Sequence, residues 1–372
     1  MTNAAPFEIF LMAPPGLESA LADEARAKGF ADPKPVPGGV ITQGGWLDIW
    51  RANLTLRGAG RVLARIAEFR AQHLAQLDKR ARRVPWAEVL RPDIPVRVEA
   101  TCRKSKIYHS GAAAQRIATA IAEELGAPIA DNAALTIKAR IDNDVVTISI
   151  DTSGESLHKR GHKEAVARAP MRETLAALFL YQCGYDGHEP VLDPMCGSGT
   201  FVIEAAEIAA NLAPGRARSF AFEDLETFDA KAWQTLRAST TPTVPTARFY
   251  GSDRDPGAIR MSQANAERAG VANWTEFAQR TISTLTPPEG PPGLVIVNPP
   301  YGARIGNKGQ LTALYAALGQ TLLTRFSGWR VGLITSEPGL AKATRLPFVP
   351  TGAPVDNGGI RVTLYRTGVL SS

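Results

Sequence analysis

Apolar and polar positions change their period several times along this chain, and the changes divide it into three zones. In the first, Phe7-Glu8-Ile9-Phe10-Leu11-Met12 predicts a short strand. Leu17 to Gly29 predicts a helix that ends on a glycine, where the chain must turn away. Lys34-Pro35-Val36-Pro37-Gly38-Gly39 has the composition of a turn. A second helix is expected from Leu47 to Leu56, after Gly44-Gly45, and a strand from Arg61 to Phe69. The zone thus reads strand, helix, strand, helix.

From about Gln72 to Gly161 the pattern is again α+β. Pro95 to Ala100 predicts a strand, Gly111 to Leu125 an Ala-rich helix, and Leu135–Arg140 and Val145–Ile150 two strands joined by a hairpin turn at Asp142-Asn143-Asp144. From about Ala169 onward, continuous apolar runs alternate with amphipathic helices, the pattern of a doubly wound parallel sheet. Its strands are expected at Pro190–Leu192, Arg248–Ser252, Leu294–Val297, Trp329–Ile334 and Ile360–Tyr365. The segment from roughly Asn211 to Thr246 reads as an insertion, with a surface loop from Ser239 to Thr246.

Composition narrows the class. A chain of 372 residues, 44% hydrophobic and 21% charged, has material for two or three globular domains. The formal net charge of +6 suits a polyanionic partner without establishing one. Cys102, Cys183 and Cys196 are far apart, and the five histidines have no metal-ligand spacing, so no disulfide framework and no metal site are expected. Met1 to Pro6 shows no leader pattern, and no apolar stretch approaches the ~20 residues needed to span a bilayer. A cytoplasmic protein with no membrane partner is expected.

Three motifs carry chemistry. Val191-Leu192-Asp193-Pro194-Met195-Cys196-Gly197-Ser198-Gly199-Thr200 is a buried strand entering a glycine-rich turn ahead of a helix. Gly197 and Gly199 let the backbone pass close to a ligand, and the helix N-terminus offers free N–H groups. It is neither a G-x-G-x-x-G fingerprint nor a P-loop. The acid Asp193 favours an amino or cationic group, such as the methionyl end of S-adenosylmethionine, over a phosphate. Asp253, at the end of the next strand in Gly251-Ser252-Asp253-Arg254-Asp255, can accept from both hydroxyls of an adenosine ribose. Asp255 reads as a helix cap. At the end of a third apolar strand stands Asn298-Pro299-Pro300-Tyr301. There the Asn298 oxygen and a proline carbonyl can accept from one amino group, while Tyr301 stacks on a ring.

Asp-Pro-x-x-Gly-Ser-Gly-Thr followed by Asn-Pro-Pro-Tyr resembles the amino-group methyltransferases of nucleic acids. More closely, nearly the whole chain is similar to the THUMP-domain class I RNA methyltransferases, and within them to the bacterial 23S rRNA guanine-N2 enzymes. Supporting stretches are Pro14–Glu18, Pro37–Val40, Arg51–Leu54, Arg103–Lys106, Tyr108–Gly111 and the very specific Asp151–Gly161. The resemblance implies a Rossmann-like α/β class I methyltransferase domain (residues 166–372), preceded by an α+β ferredoxin-like segment (1–70) and a THUMP RNA-binding domain (71–165). It implies S-adenosyl-L-methionine as cofactor, and large-subunit rRNA or its precursor as partner. It also implies that Pro170-Met171-Arg172-Glu173-Thr174 helps hold the cofactor, Thr174 included. Where related enzymes carry an Asp for the cofactor's adenine, this chain has Thr281.

Arg103, Lys104, Lys106 and His109, with His158, Lys159, Arg160, His162 and Lys163, are expected to form a phosphate-tracking basic face. Lys79-Arg80-Ala81-Arg82-Arg83 reads as ordinary surface. Among exocyclic amines, guanine N2, adenine N6 and cytosine N4 remain open on residue chemistry alone. A tRNA guanine, a DNA adenine, a protein glutamine or a non-catalytic RNA-binding role are the competing readings.

Overall fold

The computed structural model describes residues 6–164, 171–302 and 308–371. Pro170, expected beside the cofactor, and residues 1–5, which bear on a leader, lie outside the described residues. The first elements are β1 (Phe7–Met12), α1 (Glu18–Ala27), β2 (Ala31–Val36), β3 (Gly39–Gly44), α2 (Trp46–Thr55), β4 (Val62–Arg70) and α3 (Leu74–Ala81). There follow β5 (Val96–Arg103), α4 (Ser110–Leu125), β6 (Leu135–Asp142), β7 (Val145–Asp151) and α5 (Glu173–Gln182). Next come β8 (Val191–Asp193), α6 (Thr200–Ala209), α7 (Ala230–Ala238), β9 (Phe249–Asp253), α8 (Pro256–Ala269) and β10 (Thr275–Gln279). The chain ends with β11 (Leu294–Val297), α9 (Lys308–Arg325), β12 (Arg330–Thr335), α10 (Pro338–Ala343), β13 (Val355–Asn357) and β14 (Ile360–Arg366).

These elements form two units. The first takes residues 6–13, Leu21–Leu157 and Arg218–Ser239; the second takes Pro14–Ala20, His158–Ala217 and Thr240–Ser372, within the described residues.

One seven-stranded sheet runs through the first unit, in the order β2-β3-β1-β4-β7-β6-β5. The β4–β7 pairing makes it continuous across the join expected near residue 70. Lys34 and Pro35, expected in a turn, lie in β2, paired with Ile41 and Val40. Prolines are tolerated there because β2 is an edge strand, where a missing N–H breaks no second ladder. Asn143 and Asp144 form the two-residue turn between β6 and β7 with φ of 51° and 63°, a conformation Asn and Asp adopt more readily than other side chains.

Arg218–Ser239, expected within the catalytic domain, clusters instead with this first unit. Aromatic packing explains the clustering: Trp50 of α2 stacks on Phe222 with ring centroids 6.0 Å apart and meets Phe228 edge-on at 5.7 Å. Trp233 packs edge-on against Phe222 at 5.0 Å. Arg82, in the basic run that closes α3, is an ion-pair hub for Asp78, Glu123 and Glu124.

The second unit is built on a sheet ordered β10-β9-β8-β11-β12-β14-β13. The first five strands are parallel, and β14 runs antiparallel to β12. Successive strands depart in opposite directions from β8, so the sheet's switch point lies between β8 and β11. β11 is buried at every position, as a parallel strand covered on both faces should be. Leu311, Tyr315, Leu318 and Leu322 of α9, at helical spacing, join the buried core with Val295, Val297, Val331 and Leu333. Each contributes about 1.5–3 kcal/mol by burial, which outweighs the ~1 kcal/mol cost of Gly319 in the same helix. A glycine is needed there, because a Cβ would sit 1.8 Å from the Thr344 carbonyl oxygen.

Candidate active site

Strand register brings three polar side chains to the carboxyl ends of adjacent strands. Asp193 closes β8 opposite Gly251 of β9, and Leu192 pairs with Val295 of β11. Asp253 and Asn298 therefore stand beyond Asp193 on either side of it. With strands about 4.8 Å apart, one small ligand can reach all three.

The glycine-rich turn is held from several directions. Gly197 and Gly199 have φ of 55° and 84°, and Gly199 caps α6. A Cβ on Gly199 would lie 3.1 Å from the Cβ and Oγ of Ser262. Gly197 N donates to Asp253 Oδ2 (3.1 Å), Ser262 Oγ to the Gly197 carbonyl (3.0 Å), and Asn265 Nδ2 to the Ser198 carbonyl (3.0 Å). Ser262 and Asn265 were not foreseen as site residues. Their signal was present: they fall at buried positions of α8, in register with Ala258, Ile259, Ala266 and Ala269.

Each carboxylate oxygen of Asp253 accepts one backbone N–H, from Gly197 and from Asp255 (3.0 Å). A lone pair on each oxygen is left for a ligand diol. Asp255 accepts from Gly257 N at 2.8 Å and caps α8. Thr281 follows β10, beside the tip of β9. Its hydroxyl meets those of Ser283 (3.1 Å) and Thr284 (3.2 Å), a neutral cluster where an acid was expected by family pattern.

Asp193 is 3% exposed and accepts from Met195 N at 3.0 Å. Burial pushes its carboxyl up to about 8, and the nearby charge of Asp253 acts in the same direction against the Met195 bond. The folded state thus holds a proton that the unfolded chain releases near pH 4, so this group costs stability as pH rises from about 4 to 8. Asp193→Asn removes that cost. In the ligand-free protein the melting temperature of the variant should gain on the wild type between pH 5 and pH 8, and a constant difference would contradict the assignment. A cationic ligand amine reverses the preference by favouring the carboxylate.

Asn298 follows β11, and its amide oxygen is buried with no hydrogen-bond partner among the described residues. A buried acceptor left unmet costs about 1–3 kcal/mol, so the position is suited to a donor arriving with a ligand. Pro299 is buried beside it. The Tyr315 hydroxyl, unforeseen from sequence, bridges the Pro300 carbonyl (3.3 Å) and Thr335 Oγ1 (3.2 Å). Half-buried Tyr301 accepts from Asn357 Nδ2 at 3.3 Å, which fixes its ring.

Thr174 is buried near the start of α5. The preceding Glu173 pairs with Lys163 (3.0 Å), which also donates to Thr200 Oγ1 (2.9 Å). Lys163 is therefore internal, which corrects the expected basic face. Arg160 departs from it as well: it pairs with Glu204 at 3.0 Å with both side chains 1% exposed. His162 is buried 3.8 Å from Glu207, and burial holds its imidazole below the usual value. The cause lies in α6, whose inner face carries Glu204 and Glu207, and buried carboxylates require cations: Arg160 serves Glu204, and Arg216, 2.5 Å away, serves Glu207. Lys159 is exposed. In the first unit, Arg103 at the end of β5 and Lys104, Lys106 and His109 on the loop between β5 and α4 are exposed, together with Tyr108, which is 79% exposed.

A cavity of about 310 Å³ in the second unit, lined by Cys183, Leu294, Arg330, Arg366 and Thr367, lies at the opposite end of the sheet from the motifs. The site follows from the strand tips and not from cavity size. Among the described residues there is no group of three or more His, Cys, Asp or Glu placed to hold a metal ion. Nor is any helix among them long and apolar enough to cross a membrane.

A seven-stranded sheet of this order, with a glycine-rich turn after its first strand and Asn-Pro-Pro-Tyr after its fourth, defines a class I methyltransferase domain. Residues 160–365 match the family described as RMKL-like, methyltransferase domain, and the chain belongs to that family. Residues 8–63 match the RlmL ferredoxin-like domain and residues 71–151 the THUMP domain. The chain is 38% identical over 360 residues to the Ribosomal RNA large subunit methyltransferase K/L of Syntrophotalea carbinolica, covering 91% of this chain and 50% of that protein. It spans about half the length of the curated relatives it matches. Among solved structures, a chain described as a possible methylase from Clostridium difficile 630 is similar at TM-score 0.89 and 30% identity, with 99% of both chains covered. A chain described as a possible methyltransferase complexed with SAH (S-adenosylhomocysteine) is similar at TM-score 0.88 and 27% identity, with 99% of both chains covered.

Proposed function

We propose that this chain transfers a methyl group from S-adenosyl-L-methionine to an exocyclic base amine in RNA, namely guanine N2 in large-subunit rRNA, in the cytoplasm. The observation that carries the reading is the buried, unpartnered Asn298 amide oxygen at the tip of β11. The printed name of the curated relatives supports rRNA, and the choice of guanine rests on the family resemblance.

The residues fit the cofactor. Buried Asp193 suits its cationic amine, the free lone pairs of Asp253 suit its ribose diol, and Gly197, Ser198, Gly199 and Thr200 offer a close backbone approach. Thr174 closes one side, and Thr281 offers a hydroxyl toward the adenine. When bound, the cofactor supplies an electrophilic methyl group. Asn298 and the Pro299 carbonyl accept from the base amine and aim its lone pair, while Pro300 and Tyr301 hold the base plane. An amine conjugated to its ring is a poor nucleophile, so alignment is the main service the protein renders; its proton leaves to water after transfer. The base must be unstacked to reach this site, which fits a separate RNA-gripping module. Arg103, Lys104, Lys106 and His109, with Tyr108 as a stacking ring, form that grip on the THUMP segment; Lys159 is proposed as a separate phosphate contact of the second unit. Incubation with methyl-labelled cofactor and 23S rRNA tests the proposal: label should enter the RNA, and none entering it would reject the reading.

A further inference from the structure

We infer that Lys163 is a positioning residue for the cofactor-binding turn; the inference rests on the cofactor reading above. The Lys163 side chain is 11% exposed. Its ammonium donates to Thr200 Oγ1 (2.9 Å) and to the Met171 carbonyl (3.2 Å), and it pairs with Glu173 Oε1 (3.0 Å). Three protons thus meet three acceptors, and none is left for a phosphate. Withdrawing the lysine would also strand Glu173, 5% exposed, without its cation.

The acceptors belong to two segments that border the cofactor turn. Glu173 opens α5 and Met171 lies two residues before it, and Thr200 opens α6 directly after Gly199. A second route starts one residue earlier. Arg268 Nε donates to the His162 carbonyl (2.8 Å), Arg268 also donates to Asn265 Oδ1 (2.5 Å), and Asn265 Nδ2 donates to the Ser198 carbonyl (3.0 Å). Residues 162 and 163 therefore fasten Ser198 and Thr200, on either side of Gly199, through independent hydrogen bonds. The space enclosed by Lys163, Glu173, Ser198, Thr200 and Asn265 is about 10 Å³, room for one water at most. A turn held this tightly presents its N–H groups in one arrangement before the ligand arrives. That preorganisation is what Lys163 contributes to affinity.

The test compares wild type, Lys163→Gln and Lys163→Arg by calorimetric titration with S-adenosyl-L-methionine and by binding to a 23S rRNA transcript over a salt series. Lys163→Gln should bind the cofactor about tenfold more weakly, the loss expected for one charge-assisted hydrogen bond. Lys163→Arg should recover part of that loss, and RNA affinity and its salt slope should not move. If the single variant unfolds around a stranded Glu173, the double variant Lys163→Gln/Glu173→Gln removes both charges and carries the same comparison. Wild-type cofactor affinity in the Gln variants would overturn the inference. So would a salt slope smaller by about one with cofactor affinity intact, because that marks a phosphate contact. If the wild type itself binds no cofactor, the cofactor reading fails first and takes this inference with it.

Discussion

Asn298→Ala is expected to lower methyl transfer by about 100-fold or more, the scale set by misplacing a reacting group, while the affinity for S-adenosyl-L-methionine stays at the wild-type value. The split follows from where the side chain stands. Asn298 is beyond β11, and no bond joins it to the glycine turn or to Asp253 among the described hydrogen bonds. Its truncation removes an acceptor for the incoming amine and leaves the cofactor's contacts whole. Fold stability should change little or improve, because the lost acceptor has no partner in the ligand-free protein. Single-turnover assays beside calorimetry check both halves. A variant that loses cofactor affinity in proportion to rate would place Asn298 on the cofactor side.

Asp253→Ala is expected to do the reverse, and by a larger margin in binding than any other single change in the turn. Two losses coincide. The ribose hydroxyls lose a charged acceptor, worth about 1.5–3 kcal/mol per hydrogen bond, and Gly197 N and Asp255 N lose the oxygens that fix the turn. Together these predict a cofactor affinity reduced by at least about 100-fold, in a protein that remains folded. Asp253→Asn keeps one acceptor oxygen and should fall between the two. Unchanged affinity in the Ala variant, read by calorimetry, would remove Asp253 from the site.

Much of this site was legible because its chemistry sits where pattern is strongest. β8 and β11 are short, fully buried runs that lead straight to Asp193 and Asn298, and a buried parallel strand has few other ways to be written. Edge strands were harder. β2 carries two prolines, β10 reads Thr-Glu-Phe-Ala-Gln, and β13 has three residues; none shows a clear period, because a strand paired on one side needs no continuous apolar face.

The basic run after Leu157 was misread for a different reason. Charge in a sequence carries no direction: Arg160 and Lys163 turn inward to pair with acids of α6 and α5, and His162 is buried beside them. The informative residues were the partners. Glu204 and Glu207 stand three apart in the otherwise apolar Thr-Phe-Val-Ile-Glu-Ala-Ala-Glu-Ile-Ala, where an acid has to be neutralised from inside. The insertion was likewise recognised as a break in the sheet pattern. Its attachment to the first unit is written in Phe222 and Phe228, whose partner Trp50 lies far away in sequence.

The central claim, that this site methylates a base amine in RNA, is tested most directly by nucleoside mass spectrometry. Large-subunit rRNA would be treated with the enzyme and methyl-labelled S-adenosyl-L-methionine, then digested to nucleosides. The account predicts label in N2-methylguanosine, absent when Asn298→Ala replaces the wild type. No label in the rRNA, or label found only on ribose or on ring carbons, would contradict it.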